Sequence, residues 1–143
     1  MTTHAVYNLF VYGSLRSGFK SPMYEYISRY FSFGGEARVK GKLYDLGPYP
    51  AGVPAEDNTY ITGELYQAKD ESEFSWAIGQ LDDYEGIDVE EGETPLYQRE
   101  LTDVYMNDKV VKAWIYWYHG DVSGKPVIES GDLIQYIEEK NKR

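Results

Sequence analysis

The sequence predicts an α+β fold, on three observations. A strand apolar on both faces opens the chain, several later segments alternate like strands, and one mid-chain segment repeats its apolar residues at helical spacing. In residues 5–12 seven of eight side chains are apolar or aromatic, too continuous for a half-exposed strand. The strand stops at Gly13-Ser14, with a second glycine at Gly18. A glycine there lets the backbone turn sharply and lets a ligand come close, and successive N–H groups of such a loop can converge on an anion. An ordinary strand–loop turn fits the same residues, because Gly and Ser favour chain reversals.

Ser21-Pro22 predicts a helix start, with Ser21 as cap and Pro22 at the first helical position. Met23, Tyr26, Ile27 and Tyr30 follow at helical spacing, and Gly34-Gly35 is expected to end the segment. Residues 37–44 alternate like a half-exposed strand. Residues 47–54 are too rich in Gly and Pro for either element and predict a rigid, ordered loop. Residues 60–68 predict a further strand. Residues 97–106 and 110–118 predict two strands joined as a hairpin across Asn107-Asp108-Lys109. Val127-Ile128-Glu129 is expected to be extended. Ser130 or Asp132 then caps a last helix holding Leu133, Ile134 and Ile137, and residues 140–143 form a frayed polar tail. No repeat, low-complexity tract or linker divides the 143 residues, so one domain over 1–143 is expected.

Composition narrows the chemistry. The formal net charge of −10, from 24 acidic against 14 basic residues, argues against binding a phosphate backbone, and no nucleic-acid partner is expected. No stretch approaches the ~18 apolar residues of a membrane span, and Met1-Thr2-Thr3-His4 is no signal peptide, so no membrane partner is expected. Cysteine is absent, which excludes disulfides and thiolate nucleophiles and fits a reducing compartment such as the cytoplasm. The two histidines, His4 and His119, are too few for a histidine metal site and poor material for a Ser-His-Asp triad. If the protein is an enzyme, carboxylates and backbone groups must do most of the chemistry. The 15 tyrosines suit pocket walls and interfaces, and equally suit the strands of a β-rich domain.

Residues 70–84 read clearly as helix, capped by Asp70 or Ser72 and stopped at Gly86. At about 100° per residue, Ala77, Ile78 and Leu81 fall within about 60° of Phe74 and form an apolar stripe. Asp83 lies about 180° away, towards solvent, and Asp82 about 80° away, at the edge of the stripe. Glu85 lands about 20° from Phe74, in the middle of the apolar face. A carboxylate so placed must be paired, hydrogen-bonded or neutralised, and desolvation raises its pKa towards the range useful to a general base or acid. Three other arrangements fit the pattern: the helix ends a turn early, Glu85 pairs with a base such as Arg99, or it caps a neighbouring backbone.

Three blocks carry a family resemblance: Tyr12-Gly13-Ser14-Leu15-Arg16, then Gly41-Lys42-Leu43-Tyr44-Asp45-Leu46-Gly47-Pro48-Tyr49-Pro50-Ala51, then Leu81-Asp82-Asp83-Tyr84-Glu85-Gly86. In this order they resemble the gamma-glutamylcyclotransferase-like family. Tyr97-Gln98-Arg99 and residues 113–118 sit where that family has strands, and Ile128-Glu129-Ser130-Gly131-Asp132 is similar to its C-terminal signature. The resemblance spans nearly the whole chain. It implies a small mixed β-barrel with helices packed around it, and a Tyr-Gly-Ser/Thr loop whose backbone amides line the cavity. On the matching positions it implies that Tyr12, Gly13, Ser14 and Leu15 bind the substrate and that Glu85 is the catalytic acid/base. Tyr97 and Tyr118 are the best matches to cavity-lining tyrosines on the late strands.

The implied reaction is a transferase- or lyase-type cyclisation of a small gamma-glutamyl amine or amino acid. It gives 5-oxoproline and a free amine, without metal or cofactor. On residues 110–118, Trp114, Tyr116 and Tyr118 share one side, and Val111, Ala113, Ile115 and Trp117 the other. Both sides are apolar or aromatic, which predicts a central strand and leaves open which side faces the cavity. Asp82, Asp83, Asp88, Glu90, Glu91 and Glu93 crowd around Glu85 in sequence; they either favour a cationic leaving group or form a solvated surface. Two alternatives stand beside the enzyme: a module that binds the same ligand without turnover, and a structural domain with Glu85 in a salt bridge. The sequence leaves the oligomeric state open.

Overall fold

In the computed structural model residues 6–12, 22–46, 50–85 and 97–141 are described, with the backbone alone at 22–24, 83–85 and 141. In chain order the elements are β1 (Asn8–Val11), α1 (Pro22–Tyr30), β2 (Phe31–Asp45), β3 (Pro50–Pro54) and β4 (Tyr60–Ala68), then α2 (Phe74–Glu85), β5 (Tyr97–Met106), β6 (Lys109–Tyr118) and α3 (Leu133–Asn141). The strands run in the order β3-β2-β4-β1-β6-β5, and β5 returns to β2 at Arg38 opposite Tyr105. Five strands, β2, β4, β1, β6 and β5, thus close into a barrel, and β3 lies outside the ring along β2. The barrel is mixed: β1 runs parallel to β6 with Leu9 opposite Trp114, and the other pairings are antiparallel.

Period-two alternation sorts the strand residues into two cores. Phe10 of β1 and Tyr12 just beyond it join Val39, Ile61, Ala113, Ile115 and Trp117 inside the barrel. Leu9 and Val11 face outward and meet Tyr116 of β6, Ile27 of α1, and Phe74, Ala77, Ile78 and Leu81 of α2. The stripe expected of α2 is therefore its buried face. The apolar character of β1 and β6 on both sides follows from their position, central in the ring and covered by a helix layer.

Three local expectations are corrected. Gly34-Gly35 does not end the first helix: α1 stops at Tyr30 and β2 runs through both glycines. The register shifts between Phe33 and Gly35, and Gly35 takes a φ of 134°, so the glycines make a bulge within a strand. Residues 50–54 are strand β3 rather than loop, pairing with β2 from Asp45 opposite Pro50 to Gly41 opposite Pro54. Its prolines are tolerated because an edge strand needs ladder donors on one side only. Residues 140–141 continue α3 instead of fraying. Asp45 holds that end, accepting from the Tyr136 hydroxyl at 2.7 Å and from Lys140 Nζ at 3.3 Å.

Two caps are those the sequence offered, at Asp70 and Asp132, while Ser21, the cap expected for the first helix, lies outside the described residues. Asp132 Oδ1 accepts from the N–H groups of Ile134 and Gln135, at 3.1 and 3.2 Å. Asp70 Oδ1 accepts from the Ser72 N–H at 2.9 Å and the Ser72 hydroxyl at 2.6 Å, starting the short turn Glu71–Glu73 ahead of α2. Those bonds hold the Asp70 carboxyl below the usual carboxylate range. A depressed folded-state pKa contributes stability above the unfolded value, lost as pH falls through the folded one. Asp70→Ala is expected to remove that part of the acid-side slope when unfolding is followed from about pH 5 downward. Among the described residues no helix is long and apolar enough to cross a membrane.

Candidate active site

The strand registers bring several element ends together. Because β1 and β6 are parallel, Tyr12, just past β1, and Tyr118, the last residue of β6, lie at the same end of the barrel. Tyr97, which opens β5, is the cross-strand partner of Tyr118. Its hydroxyl donates to the carbonyl of Pro50, the first residue of β3, at 2.7 Å. The last turn of α2 is held there too: Asp82 accepts from Arg99 Nε at 2.8 Å, from Arg99 Nη2 at 3.1 Å and from the Tyr116 hydroxyl at 2.8 Å. From these ends the chain continues into residues 13–21, 47–49 and 86–96. Gly13, Ser14 and Leu15 of the expected binding loop lie outside the described residues, as do Gly86 and the acids Asp88, Glu90, Glu91 and Glu93.

Tyr12 is buried, and its side chain lies within the barrel rather than on the α2 side. Its ring packs near Trp117, centroid to centroid 6.5 Å, and its hydroxyl donates to the carbonyl of Tyr116. The side chain thus ties the exit of β1 to β6, immediately before Gly13. Space for the ring is made by Gly52 of β3, where a Cβ would lie 2.6 Å from Tyr12 Cζ and 2.9 Å from its hydroxyl oxygen. The ring is bonded and enclosed, so it cannot yield cheaply. Gly52→Ala is expected to cost about 1–3 kcal/mol in urea unfolding, whereas Gly79→Ala in α2 should be stabilising by about 0.4–1 kcal/mol. A Cβ at Gly79 meets nothing within 4 Å.

Tyr97 and Tyr118 pack edge to face, with ring centroids 5.2 Å apart. By strand alternation Tyr118 shares its face with Trp114 and Tyr116, the face covered by α2. Tyr118 therefore lies on the α2 side of β6, whereas Tyr12 lies on the barrel side. Glu85 is the last residue of α2, four residues after Leu81, which is fully buried. The helix does not stop a turn early; the Glu85 side chain lies outside what is described.

Arg99 is engaged by Asp82, with its guanidinium also 4.5 Å from the centre of the Trp114 ring. Asp82, at the edge of the helical stripe, is a half-buried anchor instead of one more solvated acid. Glu64 of β4, which the sequence did not single out, is only 6% exposed, accepts from the Tyr66 hydroxyl at 2.8 Å and lies opposite Val11, the last residue of β1. A signal existed: period-two spacing puts Glu64 on the face of Tyr66, in a strand apolar on both sides.

A mixed barrel of five strands flanked by helices, with the ends of β1, α2, β5 and β6 gathered at one rim, is the gamma-glutamylcyclotransferase-like fold. The profile of the family described as "Gamma-glutamyl cyclotransferase, AIG2-like" matches residues 9–135, and the chain belongs to that family. Among its relatives is the gamma-glutamylcyclotransferase family protein YtfP of Escherichia coli K12, 31% identical over 126 residues, covering 88% of this chain and 95% of YtfP. The solution structure of E. coli ytfP superimposes with a TM-score of 0.60 at 29% identity, over 91% of this chain and 98% of that one. The crystal structure of YkqA from Bacillus subtilis gives a TM-score of 0.70 at 27% identity over 95% of this chain. This chain spans 42% of YkqA.

Proposed function

We propose that the protein is a gamma-glutamyl cyclotransferase acting on a small gamma-glutamyl amine or amino acid. Family membership supports the reaction class, and the observation that carries the site is the gathering of Tyr12, Tyr97, Tyr118 and the Glu85 end of α2 at one rim. The substrate's α-amino nitrogen attacks its own γ-carbonyl carbon. A new C–N bond closes the five-membered ring, the C–N bond to the leaving amine breaks, and the products are 5-oxoproline and that amine. Ring closure is intramolecular, so the protein's main task is to hold the reactive conformer. Glu85 takes a proton from the α-ammonium, which has no lone pair until it loses one, and returns a proton to the departing amine. The amides of Gly13, Ser14 and Leu15 hold the substrate carboxylate or the developing oxyanion. Tyr97 and Tyr118 wall the pocket. The step needs no metal or cofactor, and the reading places the protein in the cytoplasm as one domain.

Asp82 already faces the Arg99 guanidinium, so a preference for a cationic leaving group would have to come from the other acids near Glu85. The test is mass-spectrometric detection of 5-oxoproline after incubation with a panel of gamma-glutamyl amino acids and amines. Product from the wild type supports the enzyme, and the best substrate identifies the leaving group. Saturable stabilisation of the fold by a panel member, with no product, would instead identify a binding module.

A further inference from the structure

Asp82, Arg99 and Tyr116 form a connected set of polar contacts between the catalytic helix and the strand beside the binding loop. The Tyr116 hydroxyl donates to Asp82 of α2, while the Tyr116 carbonyl accepts from the Tyr12 hydroxyl at the end of β1. Arg99 bonds both oxygens of Asp82 and lies over Trp114. The side chains of Arg99 and Asp82 are only 24% and 15% exposed, so this is not the solvated pair whose worth is near zero. Two parallel N–H···O bonds to one carboxylate fix an angle as well as a distance.

We propose that Asp82, Arg99 and Tyr116 are positioning residues that set the rotation of the last turn of α2 against the end of β1. The inference rests on the proposed role of Glu85 and adds to it. Apolar burial along the stripe is non-directional and tolerates small rotations and slides of a helix. Glu85 lies three residues beyond Asp82, less than one turn. The hydrogen bonds at Asp82 therefore fix where that turn points. A misplacement of about 1 Å at a reacting group costs about 10²-fold in rate, so the contacts matter more for turnover than for folding.

Tyr116→Phe keeps the ring and removes only the hydroxyl. It is expected to lower kcat about tenfold or more with KM changed less than about twofold. Arg99→Lys should behave like Arg99→Met, because an ammonium cannot reproduce the two-pronged contact. A readout independent of turnover is amide hydrogen exchange, in which Tyr116→Phe should accelerate Leu81, Asp82 and Tyr12 beyond the change in global stability. If the wild type yields no 5-oxoproline, the enzymatic reading fails, and exchange still decides whether the contacts couple α2 to β1. Unchanged exchange at those three amides, or a rise equal to that elsewhere, overturns the inference. So does a Tyr116→Phe variant of normal kcat.

Discussion

Glu85→Gln is expected to lower 5-oxoproline formation by about 10²–10⁴-fold, the usual share of a positioned acid/base. Glutamine keeps the length and planar head of the side chain but can neither take a proton from the α-ammonium nor give one to the leaving amine. The same variant should unfold at nearly the wild-type midpoint, because Arg99, the base suggested as its partner, is engaged by Asp82. The salt-bridge reading of Glu85 predicts the reverse. Removing half of a buried pair costs about 3–5 kcal/mol, which would appear as a large drop in unfolding midpoint. A gamma-glutamyl substrate that raises the midpoint of Glu85→Gln without being consumed would show that binding survives while proton transfer is lost. Turnover equal to that of the wild type would rule out Glu85 as the acid/base.

How much of the fold was legible in the sequence depended on the range of the interactions involved. The α2 stripe was legible because Phe74, Ala77, Ile78 and Leu81 follow from local helical spacing, and the helix does extend to Glu85. Residues 60–68, with apolar side chains on both faces, became β4 over that same span. Other features need partners distant in sequence. Gly34-Gly35 reads locally as a helix terminator and is a bulge because β4 lies alongside. Residues 50–54 read as loop until β2 supplies one edge to pair with. The α2 side of β6 is fixed only by closure of the barrel and docking of the helix. Asp82 was visible at the margin of the stripe, but its partners Arg99 and Tyr116 lie on strands 17 and 34 positions further along. Local spacing singled out Glu85 and the Gly13-Ser14 loop, while the barrel and the roles proposed for those residues came only from the family resemblance.

Leu81→Ala is expected to produce the largest loss of stability among these variants, about 2–5 kcal/mol, with a fall in melting temperature of ~10 °C. Leu81 has no exposed surface and belongs to the cluster that joins α2 to Leu9 and Val11 of β1 and to Tyr116 of β6. Truncation removes apolar contact and leaves a void that α2 can fill only by tilting towards the barrel. Tilting is opposed at Asp82, the next residue, whose bonds to Arg99 and Tyr116 are directional. The cost should therefore lie towards the upper end, because the site cannot collapse freely. Double-mutant analysis checks this: Leu81→Ala should cost less in the Tyr116→Phe background than alone, since the helix is then free to relax. Strict additivity would mean that the apolar and polar anchors of the last turn act independently. A lower double-mutant cost would mean that the two hold α2 against each other, so that the apolar stripe sets its depth and the hydrogen bonds its rotation.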